Sequence, residues 1–443
     1  MIDAKKFLPI RKFILLVFHV ILILSFGCGP APTPILIDLS TPTGIASPTQ
    51  PPTAQVEATT SSASTVTEAP SAPGTVIKIF SHAPLSGDKA TVGQDILHGV
   101  ELAIQRLSAP FGELGYSLEL VPYDDQNTTQ VALVNAREIA ADPQILCGVG
   151  HFDDNITIAA SDIYHQAGLA LIAPSTIATL LTDRNYLEVN RVIGHIDGQG
   201  AAAAQFAQAQ GYKTVYIVSL RSETNVRNAE FFRTESARFG IKRVGSSITD
   251  LTAENIDKIV SQIMNVQPEL IYISSSAGLA IPLLTKLRAL GYTGTFLGTE
   301  KFQSRSAFTA ADASLVEGGG LYFTATNAPA TYYPGAAQFV QDFSAKYSAS
   351  PHEFAARAYD AAGICLKAIE EATKVKGGTL PTRAEVARAI RRISNYQGIT
   401  GTYNFNSQGD PNPAQYYVYQ VKSLDPANWD QNPIVAAFEV NPP

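Results

Sequence analysis

The sequence predicts an α/β protein of two lobes, each a doubly wound parallel sheet. Three observations lead there. Short β-branched or aliphatic runs alternate with longer segments of helical period, which is the pattern of parallel strands covered on both faces by helices. Residues 76–443 are enough for two domains of ordinary size. Gly211, Gly240 and Gly291 fall just beyond three of the helical segments, where a left-handed C-cap favours glycine.

Ahead of the alternation, a basic head (Lys5, Lys6, Arg11, Lys12) runs into an apolar stretch from Phe13 to Phe26, followed by Gly27 and Cys28. The stretch is shorter than the ~20 residues a bilayer core requires, so it reads as a cleaved secretory signal (residues 1–28) rather than a permanent span. Gly27-Cys28, with Leu24 and Ser25 just before, resembles a bacterial lipoprotein signal. That resemblance implies a lipid on Cys28 and a membrane anchor. On the other reading the segment is a plain export signal and the cysteine is incidental.

Residues 29–75 are dominated by Pro, Thr, Ser and Ala. Such a segment buries too little apolar surface to offset its ordering entropy, and its prolines favour extended conformations. It reads as a disordered, semi-stiff tether.

The whole chain is 45% hydrophobic, 16% charged and 9% aromatic, as expected of a compact fold, and its net charge is −7. Mild acidity argues against nucleic acid or an anionic membrane surface as the main partner. Cys147 in ILCGVG and Cys365 in AYDAAGICLKAI both read as buried apolar residues. A disulfide between them is open in an oxidising compartment, because sequence separation carries no information on distance.

Strands read at 76–81, 117–123, 145–149, 169–173, 214–219, 244–248, 270–274 and 294–298. Helices read at 93–107, 128–140, 155–166, 198–210, 226–239, 254–266, 278–290, 334–347, 353–374 and 383–393. Open parallel sheets bind ligands beyond the carboxyl ends of their strands. The informative loops are therefore 82–92, 150–155 and 174–177 in the first half, and 219–225, 275–279 and 299–302 past residue 198. Two lobes facing each other would form a cleft there.

At these loops the sequence carries IKIFSHAPLSG (77–87) with Gly93, LELVPYDDQNTTQVALVNAREI (118–139), GHFDDNITIAASDIY (150–164), ALIAPSTIATLLT (170–182) and FLGTEKF (296–302). Together they resemble the leucine/isoleucine/valine-binding protein family, the substrate-binding proteins of branched-chain amino acid ABC importers, over nearly all of 76–443. The resemblance implies a type I periplasmic-binding fold with three crossings between lobes. The lobes would comprise 76–195 plus 325–404 and 196–324 plus 405–443. It also implies a membrane permease as partner, no cofactor, an extracytoplasmic location and a monomer.

The same resemblance implies that a ligand's α-carboxylate is held at the positions occupied here by Asp154 and Ile177, and its ammonium at Glu300. The aromatic residues that wall the pocket in the family are missing, the matching positions being Val92, Thr224 and Ser276, and the family's N-lobe disulfide is absent, its positions being Gln126 and Asp153. A carboxylate at 154 repels a ligand carboxylate, and Ile177 offers no side-chain hydrogen bond. The candidate ligand-binding set is Asp153, Asp154, Ser175, Thr176, Thr224, Ser276, Glu300 and Lys301, with Arg221 beside it. Carboxylates on both sides of a closing cleft favour a cationic or polyhydroxylated solute over a simple aliphatic amino acid.

Other duties compete for these residues. Asp153 or Asp154 would also suit the N-cap of the following helix. Glu300 and Lys301 could pair with each other at the surface, and His151 could be structural. The seven histidines show no HExxH or paired Cys/His spacing, and no nucleophile elbow, P-loop or dinucleotide fingerprint opens a helix, so neither a metal site nor an enzyme is expected. A solute sensor reporting to a membrane receptor or to cell-wall machinery shares the fold and stands as the alternative to transport.

Overall fold

The computed structural model describes residues 75–309 and 311–442. The signal, Cys28 and the tether through residue 74 lie outside the described residues; Thr75, placed with the tether above, opens the first strand.

The first sheet contains β1 (Thr75–Ala83), β2 (Tyr116–Asp124), β3 (Ile145–Gly150), β4 (Ala170–Ala173) and β5 (Val189–Arg191), all parallel, in the order β2-β1-β3-β4-β5. The second contains β6 (Thr214–Ser219), β7 (Lys242–Ile248), β8 (Leu270–Ser274), β9 (Thr295–Gly298) and β10 (Leu321–Ala325) in the order β7-β6-β8-β9-β10. The two sheets thus repeat one order, whose switch point lies between the first and third strands. A small hairpin, β11 (Tyr396–Gln397) and β12 (Thr402–Tyr403), follows. Then β13 (Ala414–Val421) pairs antiparallel with β10, and β14 (Ile434–Val440) pairs antiparallel with β13. The second sheet is therefore mixed rather than wholly parallel.

The helices are α1 (Ala90–Leu107), α2 (Ala109–Glu113), α3 (Thr129–Ala141), α4 (Asp154–Gln166), α5 (Leu180–Asp183), α6 (Ile196–Ala209), α7 (Glu223–Arg238), α8 (Ala253–Val266), α9 (Ala277–Ala289), α10 (Ala337–Tyr347), α11 (Ala355–Val375) and α12 (Arg383–Arg392). Gly211, Gly240 and Gly291 follow α6, α7 and α9 with φ of 80°, 75° and 85°, the left-handed geometry expected of them. Asp95 of α1 accepts the backbone N–H groups of His352, Phe354 and Ala355, and so caps α11 from another element. Thr382 and Glu385 close a capping box at the start of α12.

The chain leaves the first sheet after Arg191, enters the second lobe at α6, returns after Ala325, and crosses again between Tyr403 and Ala414. Returning segments α11 and α12 pack on β3, β4 and α1, and share a core with Ile77, Ile79 and Val149. A second core gathers Ile271, Ile273, Phe296, Phe323 and Tyr417.

Arg357 of α11, fully buried among the crossings, donates to Val192 O at 2.5 Å, Thr326 O at 3.1 Å, Asn327 Oδ1 at 2.7 Å and, at 3.4 Å, Tyr403 Oη. Residues from all three crossings thus converge on one guanidinium. Near the third crossing, Arg191 Nε pairs with Asp410 Oδ1 at 2.7 Å, both side chains buried.

Cys147 of β3 and Cys365 of α11 are fully buried, as expected, and are joined in a disulfide. The disulfide that the sequence left open is thus formed: strand and helix pack against each other, bringing the Cα atoms to 5.9 Å.

Candidate functional site

The switch points lie at the loops after β1 and β3 in the first sheet and after β6 and β8 in the second, and the loop after β9 is tied to the start of α6 by the bond from Glu300 N–H to Gln199 Oε1. Asp153 is the N-cap of α4, its carboxylate accepting Asn155 N–H at 2.8 Å and Ile156 N–H at 3.2 Å. The capping duty falls to this residue. Asp154, one position on, turns instead toward the loop after β4, where its Oδ1 accepts the Ile177 N–H at 2.9 Å, with the Ala178 N–H close by. Burial raises the Asp154 pKa; the two N–H donors and Arg191 act against that.

Ser175 and Thr176 are buried and satisfied internally. Ser175 Oγ donates to His151 O at 2.7 Å, and Thr176 Oγ1 to Thr157 Oγ1 at 2.8 Å. The carbonyls of Thr176 and Ala178 accept from Arg191 at 3.0 and 2.9 Å. This loop therefore has a basic underside and an acidic clasp.

From the second lobe, Glu300 opens the short helical turn after β9 (Glu300–Phe302). Both carboxylate oxygens are buried and have no hydrogen-bond partner among the described residues. Burial pushes the pKa up to about 8; Lys301 pulls it down, and Asp154 pushes it further up. That last effect puts Glu300 within electrostatic reach of the Asp154 carboxylate. Lys301 is exposed and its Nζ reaches Asn225 Oδ1 at 3.4 Å, so the surface pair between Glu300 and Lys301 does not form.

Ser276 is the N-cap residue of α9 without a side-chain cap bond, and Thr224 and Arg221 are exposed at the start of α7. Val92 packs partly buried on the first core, as does Ile177. Across the lobes, Arg227 of α7 approaches Asp183 of α5 at 4.0 Å and holds Asp197 at 2.5 Å.

Residues that the sequence reading missed cluster at the start of α6. Gln199 Oε1 accepts the Glu300 N–H at 3.1 Å and the Thr324 hydroxyl at 2.9 Å. Gln199 Nε2, His195 Nδ1 and Asp197 Oδ1 are buried without hydrogen-bond partners among the described residues, as is Thr299 Oγ1 after β9. Attention to strand-end loops passed over them because they begin a helix after a crossing. The signal was present in HIDGQG, where three polar side chains share a helix start that is otherwise apolar and glycine-rich.

His82, Asp125 and His151, scattered in sequence, meet as a fully buried cluster able to ligate a metal. Hydrogen bonds already engage every ring nitrogen. Asn135 donates to His82 Nε2 at 3.3 Å, His82 Nδ1 lies 2.9 Å from Tyr164 Oη, Tyr164 Oη lies 3.4 Å from His151 Nε2, and His151 Nδ1 lies 2.9 Å from Asp125 Oδ2. With both imidazoles neutral, donors and acceptors alternate along the whole chain. Burial holds the His82 pKa well below the usual imidazole value, and the neighbouring His151 acts in the same sense. The structural reading of His151 is the one this geometry favours.

A family model described as periplasmic binding protein matches residues 76–426. The leucine-, isoleucine-, valine-, threonine-, and alanine-binding protein of Pseudomonas aeruginosa is 27% identical over 346 residues, which cover 78% of this chain and 89% of its own. A leucine-binding protein of Thermotoga maritima superposes with a TM-score of 0.60 at 25% identity, covering 83% of this chain and 99% of its own. A solute-binding protein of an ABC transporter from Rhodopseudomonas palustris, solved with benzoate, superposes with a TM-score of 0.57 at 19% identity over 83% of this chain and 98% of its own, a likeness of fold alone.

Proposed function

The chain belongs to the periplasmic binding protein family, of the branched-chain amino acid ABC transporter type, and on that premise we propose that it captures a small polar solute, other than a simple aliphatic amino acid, between two lobes. The family location is extracytoplasmic, and no helix among the described residues is long and apolar enough to cross a membrane. The proposed lobes are 76–195 plus 325–404 and 196–324 plus 405–443. The proposed assembly is a monomer held to the membrane by a lipid on Cys28, with residues 29–75 as spacer, presenting its closed form to a membrane permease. Relatives of this chain are solute-binding proteins rather than enzymes.

The observation that carries the solute reading is Glu300. A buried carboxylate with neither oxygen paired is costly, and an incoming donor relieves that cost. With Glu300, the proposed ligand-binding residues are Asp153, Asp154, Ser175, Thr176, Thr224, Ser276 and Lys301.

A thermal-shift screen of the mature protein against amino acids, amides, amines, nucleosides, sugars and aromatic acids tests the reading, since a solute that binds only the folded state raises the melting temperature. A polar or cationic hit is expected. Tight binding of leucine or valine would refute the exclusion of aliphatic amino acids.

A further inference from the structure

We propose that the solute is an organic cation without a carboxylate beside its charged nitrogen, and that Asp154 is the residue that excludes α-amino acids. The inference rests on the cleft being the solute site and goes on to name the chemistry of its occupant.

Glu300 calls for donors and positive charge, because both its oxygens are buried and unpaired. On the facing loop, the donors that could meet an anion are already used. The Ile177 N–H bonds to the Asp154 carboxylate, and the Ser175 and Thr176 hydroxyls donate inward to His151 O and Thr157 Oγ1. Asp154 thus supplies from within the chain the carboxylate that this N–H would otherwise offer to hold.

Charge separation within the ligand decides the rest. In an α-amino acid one carbon separates the ammonium from the carboxylate. An ammonium resting on Glu300 would therefore carry its carboxylate toward Asp154, whose charge already acts on Glu300. Two carboxylates would then meet in a site closed to water, with the Ile177 N–H already taken, and the repulsion is large at low dielectric. An amine, amidine or guanidine lacking that carboxylate pairs with Glu300 as the Glu300 carboxyl releases its proton, and avoids the conflict.

Calorimetry on the mature protein with matched pairs isolates the one group at issue: leucine against isoamylamine, and arginine against agmatine. At least one amine is expected to bind at least tenfold tighter than its amino acid. In Asp154→Asn, whose amide oxygen still accepts the Ile177 N–H, the gap is expected to narrow through a gain in amino acid affinity. An amino acid that binds as well as its amine, or a gap unchanged in the folded variant, overturns the inference and leaves the solute-binding reading intact. Should Asp154→Asn fail to fold, the wild-type pairs decide alone. Silence from both pairs while a neutral solute in the wider screen binds also overturns the inference, and silence from every solute overturns the reading beneath it as well.

Discussion

The guanidinium of Arg357 donates to the carbonyl of Val192 at 2.5 Å, tying a helix of the returning segment to the first chain crossing. The same side chain reaches Thr326 O and Asn327 Oδ1 at the second crossing and the Tyr403 hydroxyl near the third. Arg357→Met keeps much of the apolar stem but strands these buried acceptors. A loss of about 3–5 kcal/mol is expected, measured as a lower urea midpoint. A midpoint shift equivalent to under about 1 kcal/mol would show that the hinge does not depend on this group.

Glu300→Gln separates binding from stability. The folded-state pKa of about 8 lies above the ordinary 4.5, so the wild-type protein loses stability as pH rises from about 4.5 to about 8, where the unfolded chain has released the proton that the folded chain retains. The neutral amide removes that loss. The variant is expected to melt higher than wild type at pH 8.5, by the equivalent of a few kcal/mol, and to match it near pH 4.5. It should also lose at least tenfold in affinity for any cationic solute.

Acid should act through buried imidazoles. His195 is held down to about 4 by burial, with Arg191 and Arg227 acting in the same sense and Asp410 against it, and burial also lowers His82. Their unfolded forms take up protons near pH 6.5 while the folded forms do not. Stability is therefore expected to fall as pH drops from about 6.5 toward 4, by one to a few kcal/mol. Denaturant midpoints at pH 7, 6 and 5 check this, and His195→Gln should flatten the slope.

Reduction of the Cys147–Cys365 disulfide, or Cys365→Ala, is expected to cost about 2–5 kcal/mol, because the bond closes a loop with a sequence separation of 218. For a protein of this size that is a fall of several degrees in melting temperature. Differential scanning calorimetry with and without reductant makes the comparison.

Gly93→Ala is predicted to be harmful despite the helix propensity of alanine. A Cβ at Gly93 would lie 1.8 Å from the Pro84 carbonyl oxygen, which is backbone and cannot rotate away. Helix α1 touches the loop after β1 at this point. A cost of at least 1–3 kcal/mol follows, read from the thermal midpoint.

Much of the architecture was legible because the alternation of strand and helix is a local signal. Every strand read between residues 76 and 298 is present, and the glycines after α6, α7 and α9 have the predicted handedness. The three residues of β5 are too short to show a period. The strands β10 (LYFTA), β13 (AQYYVYQV) and β14 (IVAAFEV) are rich in aromatic and β-branched residues and could have been read; β13 and β14 lie beyond the repeating unit and run antiparallel. At the site, local chemistry identified an N-cap at Asp153 or Asp154 but not which of the two would hold it, since that depends on where Ile177 comes to lie. Gln199 and the network of His82, Tyr164 and His151 depend on long-range packing, and no spacing rule encodes them.

The bond between Cys147 and Cys365 encloses every residue from α4 to the middle of α11, including the whole of β6 to β10. A single protease cut in an exposed loop of that span, such as the one between β7 and α8 with exposed Asp250 and Thr252, therefore cannot release a fragment. The nicked chain stays one covalent molecule on a non-reducing gel and separates only after thiol treatment. For a protein exposed to extracytoplasmic proteases, peptide-bond damage anywhere in that stretch need not mean loss of the molecule.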